Sequence, residues 1–192
     1  MKFKKAKIFL AGHNGLVGSS VLKLLKKNDY KKIHTIDKKK LDLTNQSKVI
    51  KYLKNLKPEN VIICAAKVGG IKANVTKPAE FFYQNSTIQN NLIHGSFLAG
   101  VKNLVFLGSS CIYPKFSRQP IVETELLNGK LEFTNQAYAI AKISGIEMCR
   151  SYNIQYGTNY KCLMPTNLYG PNDNYELNSS HFFAAAIRKI FE

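Results

Sequence analysis

The sequence has no tryptophan, only six prolines and three methionines, and 12 acidic residues against 28 Lys and Arg. It also lacks any apolar run near the roughly 18 residues that a membrane span needs, which argues against a membrane partner. The opening MKFKKAKIFLAG has a basic start, but glycine and polar residues follow its apolar run too soon for a secretory leader. Cys64, Cys111, Cys149 and Cys162 form no CxxC pair and no Cys/His spacing suited to a metal. They read as reduced thiols, and the chain is expected to be soluble and cytoplasmic. The scarcity of acid leaves a formal net charge of +16. The excess is scattered from Lys2, Lys4, Lys5 and Lys7 through Lys26, Lys27, Lys31 and Lys32 to Lys38, Lys39 and Lys40. No arm or stripe interleaves it with aromatics, so no nucleic-acid partner is expected. Biased codon usage would explain the abundance of Lys and Asn, while a basic surface would attract polyanionic small molecules.

What is present is an alternation of short apolar runs with helical patterns. Strands are expected at 7–11, 32–36, 61–65, 104–107 and 160–164, and helices from the first glycine turn to 27 and at 46–56, 78–99 and 135–156. That alternation predicts an α/β fold, a doubly wound parallel sheet with helices on both faces. The connections 66–77 and 114–134 are expected to be long loops that build a site at the carboxyl ends of the strands. Residues 1–170 form the expected dinucleotide-binding domain with the catalytic residues. Residues 171–192 read as the start of a substrate-binding region whose larger part is missing, in a truncated chain.

Gly12, Gly15 and Gly18 follow the first strand in GxxGxxG spacing and open the first helix. Glycine allows the tight turn and lets a pyrophosphate approach the backbone at a helix N-terminus, which favours negative charge. Asp37 at the end of the second strand could accept bonds from a ribose 2′-hydroxyl and favour NAD. Lys38, Lys39 and Lys40 could instead hold a 2′-phosphate, so the residues alone leave NAD or NADP open.

Tyr138 and Lys142 are four apart and share a helix face. An ammonium beside a phenol favours the phenolate, so Lys142 is expected to lower the Tyr138 pKa. Ser109 and Cys111, two apart on a segment read as extended, are expected to face one cleft. The serine would polarise a carbonyl oxygen that Tyr138 protonates. Hydride transfer alone needs no thiol, so Cys111 suggests acid–base work at a carbon beside a ketone. Inversion there needs a group on the opposite face, and His181 is the available one. His13, His34 and His94 read as structural.

Together GHNGLVG, GSSCIYP, the YAIAK helix, MPTNLYGP and SSH resemble the GDP-L-fucose synthases, a branch of the extended short-chain dehydrogenase/reductase family with a Rossmann-type fold. The resemblance implies conversion of GDP-4-keto-6-deoxy-D-mannose to GDP-L-fucose, by epimerisation at C3 and C5 and reduction at C4 with NADP(H). It implies a reductase triad of Ser109, Tyr138 and Lys142, and acid–base roles for Cys111 and His181. Implied cofactor contacts are Gly12, His13, Asn14, Gly15, Leu16, Val17 and Gly18; Leu107, Gly108, Ser109 and Ser110; Lys142; Pro165, Thr166, Asn167 and Leu168; and His181. Lys189 matches a basic residue that contacts the GDP-sugar, and a homodimer pairing the two long helices is implied. Another nucleotide-sugar 4-epimerase or 4,6-dehydratase is the nearest alternative. A dehydratase would carry an acidic pair where Ser110 and Cys111 stand. A catalytically silent dinucleotide-binding fragment is the alternative from a different class.

Overall fold

A computed structural model describes residues 2–177 and 179–192; Asn178, inside the expected 171–192 region, lies outside the described residues. Five parallel strands form one sheet in the order β2-β1-β3-β4-β5: β1 (Ile8–Ala11), β2 (Ile33–His34), β3 (Asn60–Ile63), β4 (Asn103–Leu107) and β5 (Asn159–Leu163). Every residue of β1 is buried, as a central parallel strand covered on both faces requires. The order reverses at β1. With right-handed crossovers this puts α1 (Leu16–Lys27) on one face, and α2 (Gln46–Leu56), α4 (Pro78–Leu98) and α5 (Gln136–Tyr156) on the other. The core between sheet and helices is built from Phe9, Val61, Ile63, Leu104 and Phe106 against Val49, Leu53, Leu92 and Ile93.

Local signals explain the helix limits. Asn45 caps α2 by accepting from the Lys48 N–H at 3.1 Å. Pro78 stands in the first turn of α4, where its missing N–H costs nothing. Gly157 ends α5 in the left-handed conformation, at φ 62°. The packed faces of α4 and α5 are partly polar; some of the polar groups are partnered, while Ser86 Oγ, Gln89 Oε1 and Ser96 Oγ are buried without a partner among the described residues. Gln89 donates to the Ala141 carbonyl and, at 3.0 Å, to Ser144, and Asn91 donates to the Leu43 carbonyl at 2.9 Å. Among the described residues no helix is long and apolar enough to cross a membrane.

Three elements differ from expectation. β2 is only two residues long, because the chain turns at Asp37, whose carbonyl accepts from the N–H groups of Lys40 and Leu41. The 66–77 connection contains a short helix, α3 (Ile71–Thr76), held by buried Asn74 donating to the carbonyls of Gly69 and Gly70. Ser110–Ile112 is a 3-10 turn rather than extended chain. The connection 114–134 folds on itself through Lys115, whose N–H reaches the Lys130 carbonyl and whose ammonium pairs with Glu132 at 2.7 Å. α6 (Phe182–Phe191) closes the chain, and β5 is an edge strand with Asn159, Lys161 and Leu163 exposed.

Candidate active site

The sheet order places a switch point between β1 and β3, where doubly wound proteins bind ligands outside the carboxyl ends of the strands. Gly12 leaves β1 at φ +85°, and a Cβ there would stand 2.5 Å from the Ala65 nitrogen. A Cβ at Gly18 would stand 2.0 Å from the Gly12 carbonyl oxygen. The turn therefore tolerates side chains at neither position. Gly15 caps α1 without a side chain, so the first N–H groups of the helix have no capping partner from that residue. Free N–H groups at a positive helix end suit a pyrophosphate, and the turn fits a dinucleotide. Asp37 folds back onto the turn: it accepts from the Asn14 amide at 2.9 Å and lies 3.4 Å from His13 Nε2. Lys38, Lys39 and Lys40 remain exposed beside it.

Backbone bonds draw two more segments to this edge. Gly108 donates to the Leu163 carbonyl at 2.8 Å and Ser110 to the Pro165 carbonyl at 3.2 Å. Residues 107–110 are thereby laced to the start of 165–168, whose Thr166, Asn167 and Leu168 lie nearer the surface, Leu168 at 42% exposure.

Ser109 ends the extended chain, and its hydroxyl accepts from the Cys111 N–H at 3.3 Å. The expectation that Ser109 and Cys111 share a cleft through alternation on an extended segment is corrected: the 3-10 turn brings them together instead. Asn135, just before α5, donates to Cys111 Sγ at 3.2 Å, while its Oδ1 is buried without a partner among the described residues. The Tyr138 ring stands edge-on to Phe81, with ring centroids 6.4 Å apart.

The expected effect of Lys142 on Tyr138 is also corrected. Burial and then the nearby Cys111 push the Tyr138 phenol up to about 12, and a hydrogen bond with Ser109 opposes them. Lys142 is itself buried; its Nζ donates to the Leu107 carbonyl at 2.8 Å and lies 5.7 Å from the Tyr138 ring centroid. Burial pushes its ammonium down to about 8, against the pull of Cys64. An ammonium held under the ring and bonded to a carbonyl does little for the phenol oxygen. Cys64, half-buried, is pushed up to about 11 by burial against the pull of Lys142, so its thiol stays protonated at neutral pH. Cys149 rises through its bond with Cys162 and burial, and Cys162 falls through that same bond.

His181 caps α6 and is exposed. Its segment is tied to the β3 loop, where Gly70 donates to the Ser179 carbonyl at 2.9 Å. Among the described residues no hydrogen bond or ion pair joins the His181 ring to Cys111 or Tyr138. Lys189 is exposed in the last turn of α6. Thus Ser109, Cys111 and Tyr138 converge, Lys142 lies beside the Tyr138 ring, and His181 is on a segment joined to the site through Gly70. A cavity of about 490 Å³ beside Tyr113, Ile146, Arg150 and Cys162 touches none of these groups. Asn135 was missed in the sequence because an Asn before a helix reads as an ordinary cap.

The family model described as "NAD dependent epimerase/dehydratase family" matches residues 8–192. The chain belongs to this family. A GDP-L-fucose synthase of Sinorhizobium fredii is 55% identical over 186 residues, 97% of this chain and 59% of that protein. Among solved structures of the family, a GDP-mannoheptose C4 reductase of Campylobacter jejuni with NADP bound is 44% identical at a TM-score of 0.86, covering 89% of this chain and 54% of that one. A GDP-L-fucose synthetase of Naegleria fowleri bound to NADP is 29% identical at a TM-score of 0.88, covering 98% and 62%. The likeness to GDP-L-fucose synthases extends along nearly the whole chain, and the chain spans about 59% of the length of the curated relatives it matches.

Proposed function

We propose that this chain carries the cofactor-binding and catalytic part of an epimerase-reductase that converts GDP-4-keto-6-deoxy-D-mannose to GDP-L-fucose. The observation that carries the proposal is the convergence of Ser109, Cys111, Asn135 and Tyr138 at the end of β4. Residues 1–170 are the dinucleotide-binding domain, and 171–192 open the substrate-binding region. Gly12, His13, Asn14, Gly15, Leu16, Val17 and Gly18 would hold the pyrophosphate side of NADP(H), with 107–110, Lys142, 165–168 and His181 toward the nicotinamide. Relatives carrying NADP and the exposed lysines after Asp37 favour NADP over NAD. Bound there, NADPH would supply a hydride to C4.

The residues supply the protons. The C4 ketone acidifies the hydrogens on C3 and C5, so one acid–base pair serves both inversions. Cys111 removes or returns a proton on one ring face and His181 acts on the other. Tyr138, held protonated at neutral pH by its raised pKa, donates to the C4 oxygen while Ser109 orients that oxygen. Lys142 fixes the Tyr138 end of the site, and Lys189 faces the anionic GDP-sugar. Exposed Phe82, Tyr83 and Leu98 on α4, and Ile140, Ile154 and Tyr156 on α5, support a homodimer through these helices. Reduced cysteines support a cytoplasmic setting.

A second reading, C4 reduction without inversion, is favoured by the likeness to a GDP-mannoheptose C4 reductase. Incubation with the keto-sugar and NADPH in D2O separates the two. Epimerisation incorporates deuterium at C3 and C5 of GDP-L-fucose. A reduced sugar without deuterium leaves only the reductase, and NADPH binding without turnover leaves a silent fragment. Cys111→Ser is expected to slow deuterium uptake about 100-fold while sparing reduction of an epimerised ketone, and Tyr138→Phe to do the reverse. Equal loss of both steps in each variant would contradict this division of labour.

A further inference from the structure

The loop that leaves β3 touches both halves of the site. At one end Ala65 packs against Gly12, where a Cβ would come within 2.5 Å of the Ala65 nitrogen. At the other end Gly70 donates to the Ser179 carbonyl at 2.9 Å, two residues before His181. Midway, both polar groups of the Lys67 backbone end on a single side chain. The Lys67 N–H donates to Asn85 Oδ1 at 2.9 Å, and its carbonyl accepts from Asn85 Nδ2 at 2.9 Å. Asn85 Nδ2 also donates to the Phe81 carbonyl at 2.8 Å, and the residue is 2% exposed. The side-chain amide thus pairs with the loop as a neighbouring strand would, using an acceptor and a donor on adjacent atoms. Glutamine is one methylene too long for this geometry, alanine has no polar group, and aspartate lacks the donors.

We propose that Asn85 is a positioning residue that fixes the 65–70 loop and, through it, registers the glycine turn against the His181 segment. The cofactor part of this rests on the dinucleotide reading above, while the loop part does not. Asn85 touches neither reacting atom. The charged and titratable groups around it are Lys67 and Glu80, paired with each other at 2.6 Å, and, across the Phe81 ring, Tyr138 and Lys142.

The test uses Asn85→Asp and Asn85→Ala in the 192-residue chain, with amide hydrogen exchange over 65–70 and NADPH titration by fluorescence at pH 8 and pH 5.5. In the Asn85→Asp variant an ionised carboxylate would face the Lys67 and Phe81 carbonyls, whereas a protonated carboxyl can donate to one of them. Asn85→Asp is expected to speed exchange over 65–70 and weaken NADPH binding about 10-fold relative to wild type at pH 8. At pH 5.5 both differences should narrow to within about 3-fold. Asn85→Ala should show both defects with no dependence on pH, so the recovery at low pH belongs to the carboxyl alone and not to a general loss of stability. Unchanged exchange over 65–70, or an Asn85→Asp defect that ignores pH, overturns the proposal. If wild type binds no NADPH, the dinucleotide reading falls, and the exchange measurement alone still decides the role of Asn85.

Discussion

The glycine turn after β1 and the cleft after β4 lie on the same edge of one sheet and prepare it in opposite ways. The turn removes side chains: Gly12 and Gly18 leave no space for a Cβ, and Gly15 leaves the start of α1 without a side-chain cap. The cleft gathers side chains and buries them, with Tyr138 pushed up to about 12 and Lys142 down to about 8. An anion site is built from exposed backbone N–H groups, which cost little in stability. A proton-transfer site is built from buried polar groups, and burial of a charge is destabilising unless it is well paired.

Substitutions should separate the two regions. The largest effect is expected from Gly12→Val, which puts a branched side chain at φ +85° against Ala65. It should lower stability by about 3 kcal/mol and NADPH affinity more than about 100-fold, measured by urea unfolding and fluorescence titration. In the cleft the two losses should come apart. Lys142→Met should reduce C4 reduction about 100-fold yet raise stability by about 2 kcal/mol at pH 7. The sign follows from its pKa, depressed from 10.5 to about 8. Between those values the unfolded chain binds more protons, so wild-type stability rises with pH across that window and the cost is fully present below it. The advantage of the Met variant should therefore shrink as pH climbs from 8 to 10.5, and a constant advantage would remove burial as its cause. The smallest effect is expected from replacing Lys38, Lys39 and Lys40 together with Ala. NADPH should bind about 10-fold more weakly at low salt, NADH should be little changed, and the difference should fade as salt rises.

The two regions were also unequally legible in the sequence. The glycine spacing after β1 carries its own geometry, since few residue types other than glycine accept such a turn. The alternation of apolar runs was enough to place all five strands and the long helices. The failures are all tertiary. β2 shortens because an edge strand has one neighbour and the Asp37 turn competes for its residues. α3 has a single short turn pattern that reads as loop, and it is stabilised by Asn74, whose partners appear only on folding. Ser109 and Cys111 meet beside Tyr138 through a 3-10 turn, where alternation along the sequence reads as an extended segment. The direction of the Tyr138 shift was misread because i, i+4 spacing reports proximity and says nothing of burial. Asn85 and Asn135 carry no signal at all, since their partners are a backbone 18 residues away and a sulfur 24 residues away.

The outer side of β5 has a physical cost of its own. Open backbone groups along a strand are a template on which other chains can assemble, but on β5 the Asn153 side chain takes both outward groups of Tyr160, accepting from its N–H and donating to its carbonyl, each at 2.8 Å. Lys161 supplies the charge that discourages such growth. The amide of Asn153 thus stands in for a neighbouring strand at Tyr160, as a side chain can wherever its donor and acceptor match a backbone pair.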